Sequence, residues 1–532
     1  MIPEPFVAQM RELLGNEFDA FIAGFSEPSR RGLRFNLLKW DESRLPAELG
    51  RLMTMPLCKE PGTPTPVPLC GEPSPLVPVP LCRELGPLTP VPWCKEGYQY
   101  PPEARPAKSL LYNAGLFYVQ EPSAMSPGAI LRPRPGQRVL DICAAPGGKS
   151  VQLAGYMQGK GVLVSNDISP SRSRALVKNL EMAGVANAIV LTESPHRLAD
   201  RFPEYFDCIL VDAPCSGEGM FRRDPDAAKA YTANKPESCG AMQQDILRHA
   251  AKMLKPGGRL VYSTCTFNPL ENEGAVFAFL SAHRDFTLLP IDHAGLGVSP
   301  GRSRWVSETA YDSPANCGTT PTDNGANGVP VSALDRTARI WPHLSPGEGH
   351  FIALMAKEGG LAAVGDRRNE ITRADDKGFH PARADRSPNS SRLPEEFTAF
   401  CDENLHPSIF SDANQIIHRH GSSLFLQPES MDLSGLRVAR SGWLLGECTK
   451  GRFVPSQALA MGITKEMARH AIDLPEPEAL RYLKGESLLP EGLGPLPGKP
   501  WVLMCHWGFP LGWARLVQGR LKNQLPTNWV IS

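Results

Sequence analysis

A chain of 532 residues with 42% hydrophobic content is too long for one ordinary core and carries enough apolar side chains for two or three. Lysine plus arginine equals aspartate plus glutamate at 56 each, so no net field announces nucleic acid, and any binding surface must come from local segregation of charge. No run approaches the roughly 18 apolar residues of a membrane helix, and thirteen scattered cysteines behind an acidic, leaderless start predict a soluble protein of the reducing cytoplasm.

Taken in chain order, PFVAQMRELLGNEFDAFIAGF has apolar residues at helical spacing and GLRFNLLKW reads as a short strand, which together predict an N-terminal lobe over residues 1–45. Residues 46–96 are different. Cys58, Cys70, Cys82 and Cys94 recur every twelve residues, each followed two places on by Glu60, Glu72, Glu84 or Glu96. Zinc ligands usually pair two to four residues apart, and no histidine occurs before His196, so the repeat lacks a metal framework. Its prolines remove backbone donors and forbid helix or central strand. The stretch therefore reads as a tandem expansion of one short loop, a disordered insertion whose parent unit is PWCKEGY. LLYNAGLFYVQEPSA (110–124) has the spacing of an amphipathic helix, with Gln120, Glu121 and Ser123 on a polar rim.

From Ala129 short apolar strands alternate with longer helical stretches. Segments 138–143, 161–166, 188–192, 207–211 and 259–264 read as buried parallel strands, with helices at 149–158, 171–183, 241–254 and 270–281. HFIALMA (350–356) closes the sheet after a long polar loop over 296–338, and residues 97–357 form one α/β, doubly wound domain. The stretch that begins KEGGLAAVGDRRNE and runs to residue 392 is polar and aperiodic and reads as a linker over 358–392. The remaining stretch, 393–532, predicts a mixed domain with a β-rich half.

VLDICAAPGGKS, Val139 to Ser150, is the strongest local motif. A strand ends at Cys143, small residues let backbone approach a ligand, and Gly147 and Gly148 turn the chain into a helix whose N-terminus offers free amides. It is neither GxGxxG nor GxxxxGK[ST], so neither a dinucleotide nor a triphosphate is favoured. Asp167 ends the next strand about 20 residues on, where a carboxylate accepts hydrogen bonds from ribose. Together these predict a nucleoside cofactor. Lys149 is either a solvated helix residue or one placed to meet a carboxylate.

DAPCSGEGMFRRDP holds Asp212 and Cys215, and YSTCTFNPLENE holds Cys265. Ligands of parallel sheets bind beyond the carboxyl ends of the strands, so both thiols, Asp212 and the glycine turn should face one cleft. Methylation at carbon 5 of a pyrimidine unites them. That carbon is too weak a nucleophile to take a methyl group directly, but a thiolate adding to carbon 6 makes it an enamine, after which a base must remove the carbon 5 proton. Free cysteine is otherwise a small core hydrophobe, the reading given to Cys208. Arg222 and Arg223 are candidates for phosphate contact or plain surface charge, His343 and His350 for loop structure, and no histidine pair suggests a metal.

Through DxCAAPGGK, DAPCSGEG and STCTxNPxENE the sequence resembles the RNA 5-methylcytosine methyltransferases of the NOL1/NOP2/Sun family, in particular the ribosomal-RNA branch with an appended C-terminal domain. The resemblance implies a class I, Rossmann-like methyltransferase fold with an RNA-binding N-terminal lobe and a C-terminal PUA-like RNA-binding domain. It implies S-adenosylmethionine held by Cys143, Ala144, Ala145, Pro146, Gly147, Gly148 and Lys149, with Asp167 at its ribose and Glu193 and Ser194 at its adenine edge. Asp212 would touch the methyl-donor site and the target base, Cys265 would be the nucleophile and Cys215 would assist product release. The implied partner is ribosomal RNA or a ribosomal subunit, of the small subunit, met by a monomer. A transfer-RNA methyltransferase and a non-catalytic RNA-binding assembly factor are the alternatives. In the C-terminal domain Lys450, Arg452, Arg515, Arg520 and Lys522 interleave with Phe453 and Trp513, which suits RNA contact or a purely stabilising domain.

Overall fold

The computed structural model describes residues 2–40, 85–308, 330–359, 393–406, 416–490 and 500–531. Most of the proline-rich repeat, nearly all of the linker and the middle of the 296–338 loop lie outside the described residues.

The N-terminal lobe begins with helices Glu4–Leu14 and Phe18–Gly24. Phe6, Met10 and Leu14 recur at four-residue spacing, line one face of the first helix, and bury completely or nearly so against Phe221, Phe267, Trp305 and Trp341. Phe6 meets Phe221 edge-on at 5.2 Å and Phe21 meets Phe267 at 5.1 Å. The lobe is thus packed on the loops that carry the cysteines. Its sheet pairs β1 (Gly32–Phe35) with β3 (Cys94–Gln99) and β4 (Phe117–Val119), and β2 (Thr89–Val91) with β3, in the order β2-β3-β1-β4.

This corrects two expected boundaries. Residues 85–96 are not part of a disordered insertion. Leu85, Leu88, Trp93 and Cys94 are buried, Trp93 Nε1 donates to the Pro122 carbonyl at 2.7 Å, and Glu96 accepts from the Tyr156 hydroxyl at 2.5 Å. The last copy of the repeat is structural because the apolar and acidic side chains it shares with its siblings have partners here. The lobe also does not end at 45, since β3 and β4 return to β1, so 97–119 belongs with it. LLYNAGLFYVQEPSA is not one helix: Leu110–Asn113 is helical, Gly115 at φ +72 breaks it, and β4 follows. A Cβ at Gly115 would stand 2.0 Å from the Met182 carbonyl oxygen, so only glycine fits.

The central sheet holds β5 (Arg138–Asp141), β6 (Val162–Asn166), β7 (Ala188–Leu191), β8 (Phe206–Asp212) and β9 (Leu254–Thr264), all parallel, in the order β7-β6-β5-β8-β9. Alternate residues face opposite layers. Leu140, Val164, Ile189 and Ile209 bury on one side, and Val139, Leu163, Val190, Leu210 and the core thiol Cys208 on the other. β10 (Phe286–Leu289) and β13 (His350–Lys357) extend the sheet antiparallel, β13 pairing with β9, and β11 (Ser299–Pro300), inside the expected loop, and β12 (Ala338–Ile340), at its end, continue it. Chain order reverses between β5 and β8, so their carboxyl ends open the crevice of a doubly wound sheet.

Beyond residue 393, β14 (Ile416–His420), β15 (Ser423–Gln427), β17 (Trp443–Thr449) and β18 (Arg452–Pro455) form one antiparallel sheet. β19 (Ala471–Asp473), β20 (Trp501–His506), β21 (Phe509–Val517) and β22 (Arg520–Asn523) form another. Between β15 and β17, β16 (Val438–Arg440) leaves its neighbours and pairs with β7, becoming the edge strand of the central sheet. Phe453 and Trp513, expected at an RNA surface, are instead core residues, 5% and 2% exposed. Among the described residues no helix is long and apolar enough to cross a membrane.

Candidate active site

A cleft of about 650 Å³ opens at the carboxyl ends of β5 and β8, within the range of small-ligand sites. Cys143, Ala144, Ala145, Pro146, Gly148, Lys149, Asp212 and Cys265 line it, whereas Gly147 and Cys215, expected beside them, are not on its wall. The turn after β5 leads through Gly147 at φ +114 into helix Gly148–Met157. A Cβ on Gly148 would stand 3.0 Å from the Tyr118 ring, so the backbone there is left bare toward the cleft. Below the turn Asp141 accepts from Ser150 Oγ at 2.7 Å, while its Oδ1 is buried with no partner among the described residues. An orphaned carboxylate oxygen beside the unpaired amides of a helix N-terminus fits a ligand that carries both donors and an anionic end, as the amino-acid portion of S-adenosylmethionine does.

At the end of β8, Asp212 takes the Lys149 ammonium on Oδ2 and the Ser263 hydroxyl on Oδ1, both at 2.8 Å. Lys149 therefore meets a carboxylate. Burial disfavours the charge of Asp212, yet Lys149 and His350 outweigh it and hold the carboxyl well below the usual range, so it is ionised. Cys265 follows β9 and Cys215 follows β8, and their sulfurs lie 3.3 Å apart. The hydrogen bond to Cys265, then burial, push the Cys215 thiol well above its ordinary value, so Cys215 keeps its proton.

Asp167, Glu193 and Ser194, expected as cofactor contacts, are likewise not on the cleft wall. Asp167 is 2% exposed, accepting from the Ser169 amide at 2.9 Å and pairing with Arg172, whose guanidinium stands between it and the cleft turn, bound to the Ala145 carbonyl. Ser194 is spent as the N-cap of helix Pro195–Arg201, and Glu193 accepts the amide of Arg437 at 2.7 Å. Of the two arginines left open between phosphate contact and surface charge, Arg223 lines the cleft, and Arg222 is neither free nor on the surface: it is 4% exposed and bonded to Glu348 at 2.5 Å.

Residues 128–356 match the family described as 16S rRNA methyltransferase RsmB/F, and residues 2–62 with 80–122 match the N-terminal domain of 16S rRNA methyltransferase RsmF. Its first C-terminal domain and PUA domain match 399–463 and 469–531. Ribosomal RNA small subunit methyltransferase F of Salmonella arizonae is 29% identical over 99% of this chain and 96% of its own. The protein of that name from Shewanella loihica is 30% identical over 78% of each chain. The chain belongs to the RsmB/F family. It is an S-adenosylmethionine-dependent RNA cytosine-5 methyltransferase. A solved methyltransferase homolog from Pyrococcus horikoshii is 28% identical, with a TM-score of 0.49 over 66% of this chain and 94% of that one.

This RsmB/F member also shows residues that sequence reading passed over. His350, assigned to a loop, opens β13 on the cleft wall with Nε2 3.6 Å from Asp212 Oδ1. The acids and amide of NPLENE hold the two cysteine turns. Glu271 accepts the Ser216 amide and Gln243 Nε2, both at 2.9 Å, and Asn272 accepts Thr264 Oγ1 at 2.5 Å and donates to the Thr266 carbonyl at 2.9 Å. Their signal was three consecutive polar residues just before an apolar helix, where burial needs partners that only the fold supplies.

Burial raises Asp141 and Glu271 each to about 7. A carboxyl raised in the folded state contributes stability that is full below its unfolded value and lost as pH rises through the folded one. Urea unfolding from pH 5 to 7 should therefore show the wild type losing about 2 to 3 kcal/mol that Asp141→Asn, which keeps the Ser150 acceptor, does not lose. Parallel profiles would mean that Asp141 is ionised throughout.

Proposed function

We propose that this enzyme methylates carbon 5 of cytosine in small-subunit ribosomal RNA through a covalent bond between Cys265 and carbon 6. The observation that carries the reading is Cys265 on the wall of the cleft at the sheet's switch point, beside an ionised aspartate and with the Cys215 sulfur 3.3 Å behind it. The Asp141 to Lys149 segment would hold S-adenosylmethionine, which supplies the methyl group when bound.

The chain's own groups divide the remaining work. The Cys265 thiolate adds to carbon 6 and the electron pair moves to carbon 5, which becomes nucleophilic enough to take methyl. Asp212, kept ionised by Lys149, accepts a hydrogen bond from the exocyclic amino group and so orients the ring. After transfer, Cys215, having given its own proton to solvent water, takes the carbon 5 proton; that C–H pair forms the ring double bond, and the carbon–sulfur bond breaks with its electron pair returning to Cys265. Glu271 and Asn272 keep the two turns in register. The base must leave its stack to enter the cleft, and the N-terminal lobe and PUA domain supply the surfaces that grip the surrounding RNA.

The test is transfer of labelled methyl to small-subunit ribosomal RNA, naked and in subunits, beside a transfer-RNA pool, with mapping of 5-methylcytosine. Label confined to ribosomal RNA supports the substrate. Label confined to transfer RNA replaces it, and none anywhere leaves a binding role.

A further inference from the structure

We propose a second RNA-binding site, a groove of about 560 Å³ between helix Pro170–Met182, strand β16 and the C-terminal turn Thr527–Trp529. It would take a single-stranded stretch of the substrate RNA next to the flipped base, with phosphate at Arg174 and Arg437 and a base on Trp529. This rests on the proposed ribosomal-RNA substrate.

The groove is separate from the catalytic cleft but shares a helix with it. Arg172 of that helix lines the cleft, while Arg174, Val177, Lys178 and Glu181, spaced as one helical face, line the groove. Its floor is the end of β7 and the paired β16, so both openings lie at the carboxyl-end side of the central sheet. An RNA strand leaving the cleft over Arg172 meets the groove next.

The lining has the chemistry of a nucleotide subsite. Arg174 is exposed, and its side chain makes no hydrogen bond or ion pair among the described residues. The Arg437 side chain is 58% exposed and only loosely held by Glu193 at 3.4 Å, leaving donors for a phosphate. Trp529 is half-buried, with the Lys178 ammonium 5.8 Å from its ring centre and anchored on the Asn528 carbonyl at 2.7 Å. A cation held at the ring and a half-open indole make a stacking platform that tolerates any base. The volume admits a nucleotide and is too broad for a lone ion. Three cations against Glu181 set the sign for a polyanion.

The test uses the full chain carrying Arg174→Glu, Arg174→Lys or Trp529→Ala, with kinetics on small-subunit ribosomal RNA and anisotropy with a short oligouridine. Arg174→Glu and Trp529→Ala should each raise the RNA KM and the oligouridine Kd about tenfold, leaving kcat and S-adenosylmethionine affinity unchanged. Arg174→Lys should restore binding, and Arg174→Glu should flatten the salt slope by about one contact. RNA KM and oligouridine Kd within twofold of wild type in both variants would overturn the site. So would a loss confined to assembled subunits with naked RNA unaffected, which would place a ribosomal protein in the groove. If the wild type methylates no ribosomal RNA yet the variants still lose oligouridine, the groove stands and the substrate reading fails.

Discussion

Cys265→Ala is expected to lose methyl transfer entirely and to form no RNA adduct resistant to denaturant, whereas Cys215→Ala should accumulate that adduct with S-adenosylmethionine present. The asymmetry follows from the two sulfurs' surroundings. Cys215 is held protonated by its hydrogen bond to Cys265 and by burial, so it is a poor resting nucleophile. On the proposed mechanism, removing it leaves the attacking sulfur in place and takes away the group that receives the carbon 5 proton. Loss of a covalent nucleophile costs a factor on the order of 10⁴ or more in rate, while loss of the base stalls the enzyme after bond formation. Denaturing gels with labelled RNA read both outcomes at once. An adduct that persists in Cys265→Ala and is missing in Cys215→Ala would exchange the roles.

The second large effect is on stability. Arg339 and Glu273 are 2% and 0% exposed and form two hydrogen bonds at 2.7 and 2.5 Å, with the guanidinium also donating to the Phe267 carbonyl at 3.0 Å and lying 4.9 Å from the Trp305 ring centre. Arg339→Met fills similar volume but leaves the buried Glu273 carboxylate without its charge partner, holding only the Arg302 amide at 2.9 Å, at an expected cost of about 3 to 5 kcal/mol. Adding Glu273→Leu should recover most of it, because two apolar side chains no longer demand a charge partner. Urea midpoints of the wild type, the single and the double variant decide this. A single variant within about 1 kcal/mol of wild type would show that solvent reaches Glu273.

The parallel strands were legible because each is a short apolar run buried on both faces, and the Cys143 to Lys149 turn because few folds need so many small residues together. Cys215, Cys265 and Asp212 came with them, since strand ends in such a sheet converge without further information. Partners distant in sequence were not legible. His350 lies 138 positions from Asp212, and nothing about GEGHF says that its histidine lines a cleft. Glu271 and Glu273 stood in the STCTxNPxENE motif without an assigned role, and Asp167 and Ser194 looked available because the residues that occupy them, Arg172 and helix Pro195–Arg201, compete through geometry rather than composition. The inner end of the repeat was misplaced for a related reason. Copies of one unit read alike, and only the packing of Trp93, Cys94 and Glu96 tells the last from its siblings.

Strand β16 gives the linker at 358–392 a meaning that a domain diagram would hide. Cutting the chain there would not release a self-sufficient catalytic half, because β7 would lose its outer neighbour and present a bare row of peptide groups, an invitation to pair with another copy. Arg440, buried and bonded to the Val185 carbonyl at 2.7 Å, would be lost with it. The portion that resembles an appendage is therefore a hem: it finishes the fabric of the catalytic sheet, and shortened versions should be sought for filaments and precipitates before they are sought for activity.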